Sequence, residues 1–225
     1  TPVSQYYNLS TSGGSSSLNY RANLSWQDNQ GLVQKSSSNK LRGRINVSQT
    51  GINDRLRLNY NFSYATSKKA FADKYIVRQA MLRNPTEPVY DTEGKTPISG
   101  GYYYNSGPFE YYNPVAMINE MDDKGNIKEF SGSINASFQI IEPLKINALA
   151  SLIETSERFG HYYGRYYPVN FGYNGTAEVY NDHSKQKLFE TNFDFNKQFN
   201  DHKLQAIAGY SYSEESYEQY FASNY

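Results

Sequence analysis

Residues 41–64 carry two runs of strict alternation joined by a short turn, and that pattern constrains the fold more than anything else in the chain. Leu41, Gly43, Ile45 and Val47 fall on one face of the first run, with Arg42, Arg44, Asn46 and Ser48 on the other. After Gly51-Ile52-Asn53-Asp54, the second run puts Leu56, Leu58, Tyr60, Phe62 and Tyr64 opposite Arg55, Arg57, Asn59, Asn61 and Ser63. Successive side chains of a strand point to opposite faces, so each run is a strand with one apolar and one polar side. The Gly/Asn/Asp connection is hairpin chemistry. Whether the apolar side meets a core or lipid decides what the protein does.

The same pattern recurs along the 225 residues. Tyr7, Leu9 and Thr11 alternate with polar neighbours up to Gly13-Gly14. Leu18, Tyr20, Ala22, Leu24 and Trp26 follow, then a connection over about 28–39. A long insert occupies about 68–128. Within it, Asp73 is placed to cap a short helix bearing Tyr75, Ile76, Ala80, Met81 and Leu82, stopped at Asn84-Pro85. Alternation resumes at Phe130, Gly132, Ile134, Ala136, Phe138 and Ile140. It turns at Glu142-Pro143 into Leu144, Ile146, Ala148, Ala150 and Leu152, where Leu149 and Ile153 interrupt the polar side. A Tyr- and Gly-rich connection spans about 155–184. Phe189, Phe193, Phe195 and Phe199 then lead through Asn200-Asp201-His202 into Leu204, Ala206, Ala208, Tyr210 and Tyr212.

About eight strands result, and the connections alternate between short and long. A membrane barrel favours that order, with tight turns at one end and long loops at the other. The alternating runs are about ten residues, the length of a tilted membrane strand. If the long loops are outside, Trp26, Tyr64, Phe130 and Tyr210–Tyr212 lie near the outer rim. Leu24, Val47, Leu58, Ala136 and Ala148 lie deeper, as an aromatic girdle requires, whereas Tyr60 and Phe138 do not fit. The expected fold is all-β: an antiparallel transmembrane barrel segment with one short helix in its longest loop.

Composition removes other classes. Lys+Arg and Asp+Glu both number 22, so no global field favours nucleic acid. The absence of cysteine excludes disulfides and thiolate metal sites; three histidines leave little for a metal cluster, and no cofactor is expected. No apolar run is long enough for a transmembrane helix, and the mean hydropathy of −0.77 is compatible with alternating membrane strands. Asp182-His183-Ser184 lacks a nucleophile elbow and is expected to be a loop turn. Asp122-Asp123-Lys124-Gly125-Asn126 lacks calcium-loop spacing and is also expected to be a turn. Six glycosylation sequons occur, at Asn8, Asn23, Asn46, Asn61, Asn135 and Asn174; five lie within strands, where Asn and Ser share the polar face, so they are expected to be coincidences of pattern.

The candidate ligand or partner surface is aromatic: Tyr102, Tyr103, Tyr104, Phe109, Tyr111, Tyr112, Tyr162, Tyr163, Tyr166 and Tyr167. Aromatics stack on sugars and anchor protein interfaces at low entropy cost, and they also pack loops against one another. Arg42, Arg44, Arg55 and Arg57 share one face, as a lumen wall toward a plug or as a solvated face.

Several stretches resemble the SusC/RagA-type TonB-dependent outer-membrane transporters. They are Tyr7-Asn8-Leu9-Ser10 with Ser12-Gly13-Gly14, and Gln27-Asp28-Asn29-Gln30-Gly31-Leu32-Val33. Further along come Leu82-Arg83-Asn84-Pro85-Thr86 with Pro88-Val89-Tyr90-Asp91 and Gly94, then Tyr112-Asn113-Pro114-Val115-Ala116. The resemblance implies that 1–225 is part of a barrel of about 22 strands in the outer membrane of a Gram-negative bacterium. It implies that the plug and the remaining strands lie outside this chain. It also implies a SusD-like surface lipoprotein, energy from TonB–ExbB–ExbD, and oligosaccharide or peptide cargo, with no catalytic residues. From the residues alone, two other readings stand: a soluble all-β carbohydrate-binding module using the Tyr-rich loops, and a complete eight-stranded membrane barrel with loop enzymology.

Overall fold

The computed structural model describes residues 1–94, 99–104, 111–170 and 174–224. Its frame is one antiparallel sheet in sequence order: β1 (Ser4–Gly14), β2 (Leu18–Gln30), β3 (Ser37–Gly51), β4 (Leu56–Phe71), β5 (Met121–Ile141), β6 (Leu144–Tyr163), β7 (Thr176–Phe199) and β8 (His202–Asn224). β1 and β8 are the two edges. Helices α1 (Tyr75–Leu82) and α2 (Pro114–Asn119) lie in the longest connection.

All the tight turns are at one end. At 52–55 the backbone is left-handed at Ile52, Asn53 and Asp54, and Arg55 N–H closes the turn onto Ile52 C=O at 3.2 Å. Asn and Asp tolerate that region; Ile52, branched at Cβ, occupies it at a cost of about 1–2 kcal/mol. The loop end carries 31–36, 72–120 and 164–175.

The strands are longer than the alternation predicts. β4 and β5 remain paired to Phe71↔Asp123, and β6 and β7 to Tyr163↔Thr176. The three long connections therefore shrink to 31–36, 72–120 and 164–175, against 28–39, 68–128 and 155–184 expected. Asp122–Asn126 and Asp182–Ser184, expected as turns, are strand residues.

Register assigns every strand residue to a face. The outer face, as we label it, carries Leu18–Trp26, Leu41–Val47, Leu56–Tyr64, Phe130–Phe138, Leu144–Leu152, Phe189–Phe195 and Leu204–Tyr212, taking alternate residues. The upper edge of this apolar band crosses the hydrogen-bonded rows at a slant. Following the ladder from Trp26 gives Leu41, Thr66, Lys128, Ser156, His183 and Glu218, whereas the band on β8 ends at Tyr212. Six strand steps thus cost six residues of register, one per strand. With about 3.3 Å per residue and about 4.8 Å between strands, the strands tilt by about 35° from the band normal. Nine residues at that tilt span about 25 Å, the height of an outer-membrane apolar belt. Phe138 belongs to the lower rim with Phe195, which removes one misfit; Tyr60 stays at mid-depth.

Above the band the strands invert. On β5, outward Phe130–Phe138 gives way to Asp122, Lys124, Asn126 and Lys128, all exposed. Inward Ser131, Ser133 and Asn135 give way to Met121, Gly125 and Ile127, the first two buried. Ala65 and Ser67 are likewise buried on the inner face of β4. They lie under the loop layer, whose core joins Ile76, Met117, Met121 and Tyr167.

Candidate functional site

The loop layer is built from the inner face upward. Phe71 and Phe159 meet with ring centroids 6.1 Å apart across Gly125, where a Cβ would come within 2.6 Å of Phe159. Glycine is required there by close approach, not by backbone angle. The next inner row pairs Asp123 with His161 at 2.8 Å, and beyond it Met121 and Tyr163 receive Ile76 of α1 and Met117 of α2, the latter fully buried.

Asp73 Oδ1 accepts from Tyr75 N–H at 2.8 Å, so the predicted cap acts through an Asx turn one residue ahead of the helix N-cap, Lys74. The second helix was not expected, although Asn113-Pro114 carries its signal: an N-cap Asn followed by Pro at the first helical position. Asn113 is the hub of the layer. Its Oδ1 accepts from Val115 and Ala116 N–H at 3.1 and 3.4 Å. Its Nδ2 donates to Val89 and Tyr103 C=O at 2.7 and 3.3 Å. Buried Gln79 accepts from Tyr112 N–H at 3.0 Å, tying α1 to the same hub.

Arg83 donates to Pro88 C=O at 3.0 Å, lies 3.4 Å from Glu87 and stacks 5.7 Å over Tyr103. Burial lowers its pKa against the raising effects of Glu87 and Tyr103. Asn84 closes its own turn by accepting from Thr86 N–H and Oγ1. These motifs hold the layer's shape.

The aromatic candidates separate into three groups. Tyr102 stacks on Tyr90 at 5.9 Å, and a short ladder links Tyr103 N–H to Val89 C=O and Asp91 N–H to Gly101 C=O. Ser99, buried, donates through Oγ to Tyr102 C=O. With half-buried Tyr103, Tyr104 and Tyr112 and exposed Tyr111, these residues belong to the loop layer. Tyr166 joins them, because left-handed Gly100 packs against its ring.

Tyr163 and Tyr167 form the second group. Tyr167 is 4% exposed, 4.7 Å from Tyr163, and donates its hydroxyl to Asp73 Oδ2 at 3.3 Å. Burial, then the Asp73 charge, raise its pKa strongly. Tyr162 stands alone: strand alternation turns it to the outer face, 49% exposed. Phe109 lies outside the described residues. Tyr90, 56% exposed, is the surface aromatic that the sequence reading used only as part of a motif.

The arginines share the inner face but not one place. Arg42 lies 3.8 Å from Glu129, which also holds Lys40 at 3.1 Å. Arg44 and Arg57 are six residues apart along the strand, about 20 Å. Arg55 lines a polar groove of about 580 Å³ near the tight turns with Gln139, Glu142, Lys145, Asp194 and Asn196. Between these, inner-face amides bond across strands, as Asn23 to Asn8 at 2.9 Å and Asn147 to Asn192 at 2.9 Å. In Asp182-His183-Ser184 the histidine points to the outer face and its neighbours to the inner one, so the three cannot act together. Among the described residues no cluster of metal-ligating side chains occurs.

No protein-family model matches the chain. It is 27% identical over 203 residues to the TonB-dependent receptor SusC of Bacteroides thetaiotaomicron, covering 80% of this chain and 20% of SusC. The chain thus spans about a fifth of that curated relative. The RagAB peptide importer in its open-open state matches with a TM-score of 0.74 at 21% identity, covering 97% of this chain and 25% of that one. FpvA of P. aeruginosa, bound to heterologous pyoverdines, matches at 0.60 and 12%, covering 97% and 26%.

Proposed function

We propose, from the premise that this chain is a barrel-wall segment of a SusC-type TonB-dependent receptor in the outer membrane of a Gram-negative bacterium, that it forms one side of an importer for oligosaccharides or peptides. The relatives are receptors and transporters by name, not enzymes. The observation that carries the reading is the placement of the loop layer. It rests on the inner face, over the polar wall, so its aromatic surface stands at the mouth of the path that a closed barrel would enclose.

In this reading Tyr90, Tyr102, Tyr103, Tyr104, Tyr111, Tyr112 and Tyr166 present a stacking surface to cargo or to a SusD-like lipoprotein covering the mouth. Tyr163 and Tyr167 hold that surface to the wall. Arg42 and Arg44, Arg55 and Arg57, and the amide rows form a wet wall facing a plug. TonB–ExbB–ExbD supplies the energy through that plug. The name of RagAB favours peptide cargo, and the stacked tyrosines suit sugar rings equally.

The test is uptake by the full-length protein in a Gram-negative host, offered labelled oligosaccharides and labelled peptides. Uptake of one class is expected to vanish when TonB is deleted. It is expected to fall at least tenfold in Tyr90→Ala/Tyr102→Ala at unchanged outer-membrane abundance, two stacked aromatics being worth about 1 kcal/mol or more. Uptake indifferent to TonB would sink the reading.

A further inference from the structure

Above the apolar band, the outer face of three adjacent strands carries Lys68, Lys128 and Arg158, all exposed, Lys128 lying nearest the band. Lys68 and Arg158 share one row, separated by Asn126 of β5, so their backbones are about 10 Å apart. Lys128 lies two residues from Asn126 on β5, about 7 Å toward the band. Side chains of this length converge on a single anion from such a triangle.

Other outward cations have carboxylates beside them, Lys185 standing opposite Glu154 in the β6–β7 ladder. Lys124 sits 2.7 Å from Asp122 and Lys187 2.9 Å from Glu214, while His183 lies 3.5 Å from Glu154. Lys68, Lys128 and Arg158 make no ion pair among the described residues. Lys68 and Arg158 border a groove of about 470 Å³ that also includes Lys124 and Asn126, and Lys128 stands two residues from Asn126 on the band side.

Directly beneath is a second groove, of about 530 Å³, with an apolar lining. Leu24, Ile45, Phe62, Tyr64 and Phe130 surround Gly43, beside which no atom fills the place of a Cβ. Lys128 and Phe130 are neighbours on the same face, so the cationic ledge and the apolar notch adjoin at the belt's edge. At that height a membrane presents headgroups, and just below it acyl chains.

We infer that ledge and notch together seat one phosphate-bearing lipid of the outer leaflet. The phosphate lies among Lys68, Lys128 and Arg158, and an acyl chain lies in the Gly43 notch. Arginine grips phosphate oxygens through paired N–H donors, and the two lysines add point charges. A soluble acidic partner would use the ledge but would have no use for the notch within the belt. The inference rests on the membrane orientation proposed above, with the loop end outside.

The test uses the full-length protein in phosphatidylcholine nanodiscs doped with diphosphorylated lipid A or with its dephosphorylated form, and measures co-purified lipid by native mass spectrometry. Wild-type protein is expected to retain the diphosphorylated lipid on the order of a hundredfold better. Lys68→Gln/Lys128→Gln/Arg158→Gln is expected to abolish that preference. Gly43→Leu is expected to weaken retention of both forms and leave the preference intact. Equal retention of the two lipids, an unaffected triple variant, or full displacement by inorganic phosphate at equal phosphate concentration would overturn the inference. Normal TonB-dependent uptake alongside any of these results would overturn it alone. A wild-type protein absent from the outer membrane would overturn the importer reading as well.

Discussion

The lower and upper halves of the sheet are made from the same strands and obey opposite rules. Below Lys128, β5 is apolar outside and polar inside; above it, polar outside and mostly apolar inside, the exception being Asp123, which is held by His161 at 2.8 Å. β4 and β6 change over at the same level, from Tyr64 to Lys68 and from Leu152 to Arg158. In the proposed setting the lower half meets hydrocarbon and faces a wet interior. The upper half is solvated by water and faces a dry loop core. Which side of a strand is greasy is thus set by the medium at each height, and the fold carries both arrangements on one continuous ladder.

The contrast predicts where substitutions hurt. Met117→Ala, at the fully buried centre of the loop core, is expected to cost about 2–5 kcal/mol of local stability. Hydrogen exchange should show α1 and α2 opening while the band stays protected; simultaneous loss of the band would show that the halves fold as one unit. Ala148→Arg, outward at mid-belt, is expected to cost about 2–4 kcal/mol in vesicle unfolding titrations. Ser156→Arg, outward on the same strand above the belt, should stay within about 0.5 kcal/mol. Equal penalties would break the proposed boundary.

Asn113→Ala removes a helix cap, takes a donor from Tyr103 C=O and leaves Val89 C=O with only Tyr103 N–H, for an expected loss of about 1–3 kcal/mol confined to the loop layer. Protection of 89–91 and 101–104 against exchange is the readout. The smallest effect belongs to Tyr167→Phe, about 1 kcal/mol at neutral pH. Because the folded pKa of Tyr167 lies above the ordinary 10.0, its contribution is complete below that value and is lost as pH rises through the folded pKa. Phenolate absorbance should lose its latest-titrating component in the variant.

Reading the sequence worked where a single rule applied. The eight strands, their order and the turn chemistry at 51–54 followed from alternation, because lipid on one side and water on the other imprint a two-residue period. Above the belt the polar side turns outward, and inward Lys69 and Asp123 interrupt the apolar side, so Lys68-Lys69-Ala70-Phe71 and Asp122–Lys128 carry no clean period although they pair as faithfully. That is why the strands continue past the expected ends. α2 was missed because six residues are too few for a helical period, although Asn113-Pro114 marked it. The tyrosines looked alike by composition; only register separates outward Tyr162 from core Tyr163, one residue away. Arg42, Arg44 and Arg57 share the inner face and Arg55 precedes β4 in the turn, and the distance along the strand that divides them was not visible in the spacing.

The sequential strand order has a consequence for how such a wall changes over time. Each strand pairs only with its neighbours in the chain, so every connection closes a hairpin whose ends are already in place. Closure entropy grows only logarithmically with length. The connection at 72–120 therefore costs roughly 1.2 kcal/mol more to close than that at 164–175, although it is about four times as long. Insertions at the loop end are thermodynamically mild and leave the register beneath them untouched. The loop surface can consequently be rewritten while the strand lattice beneath it is inherited unchanged.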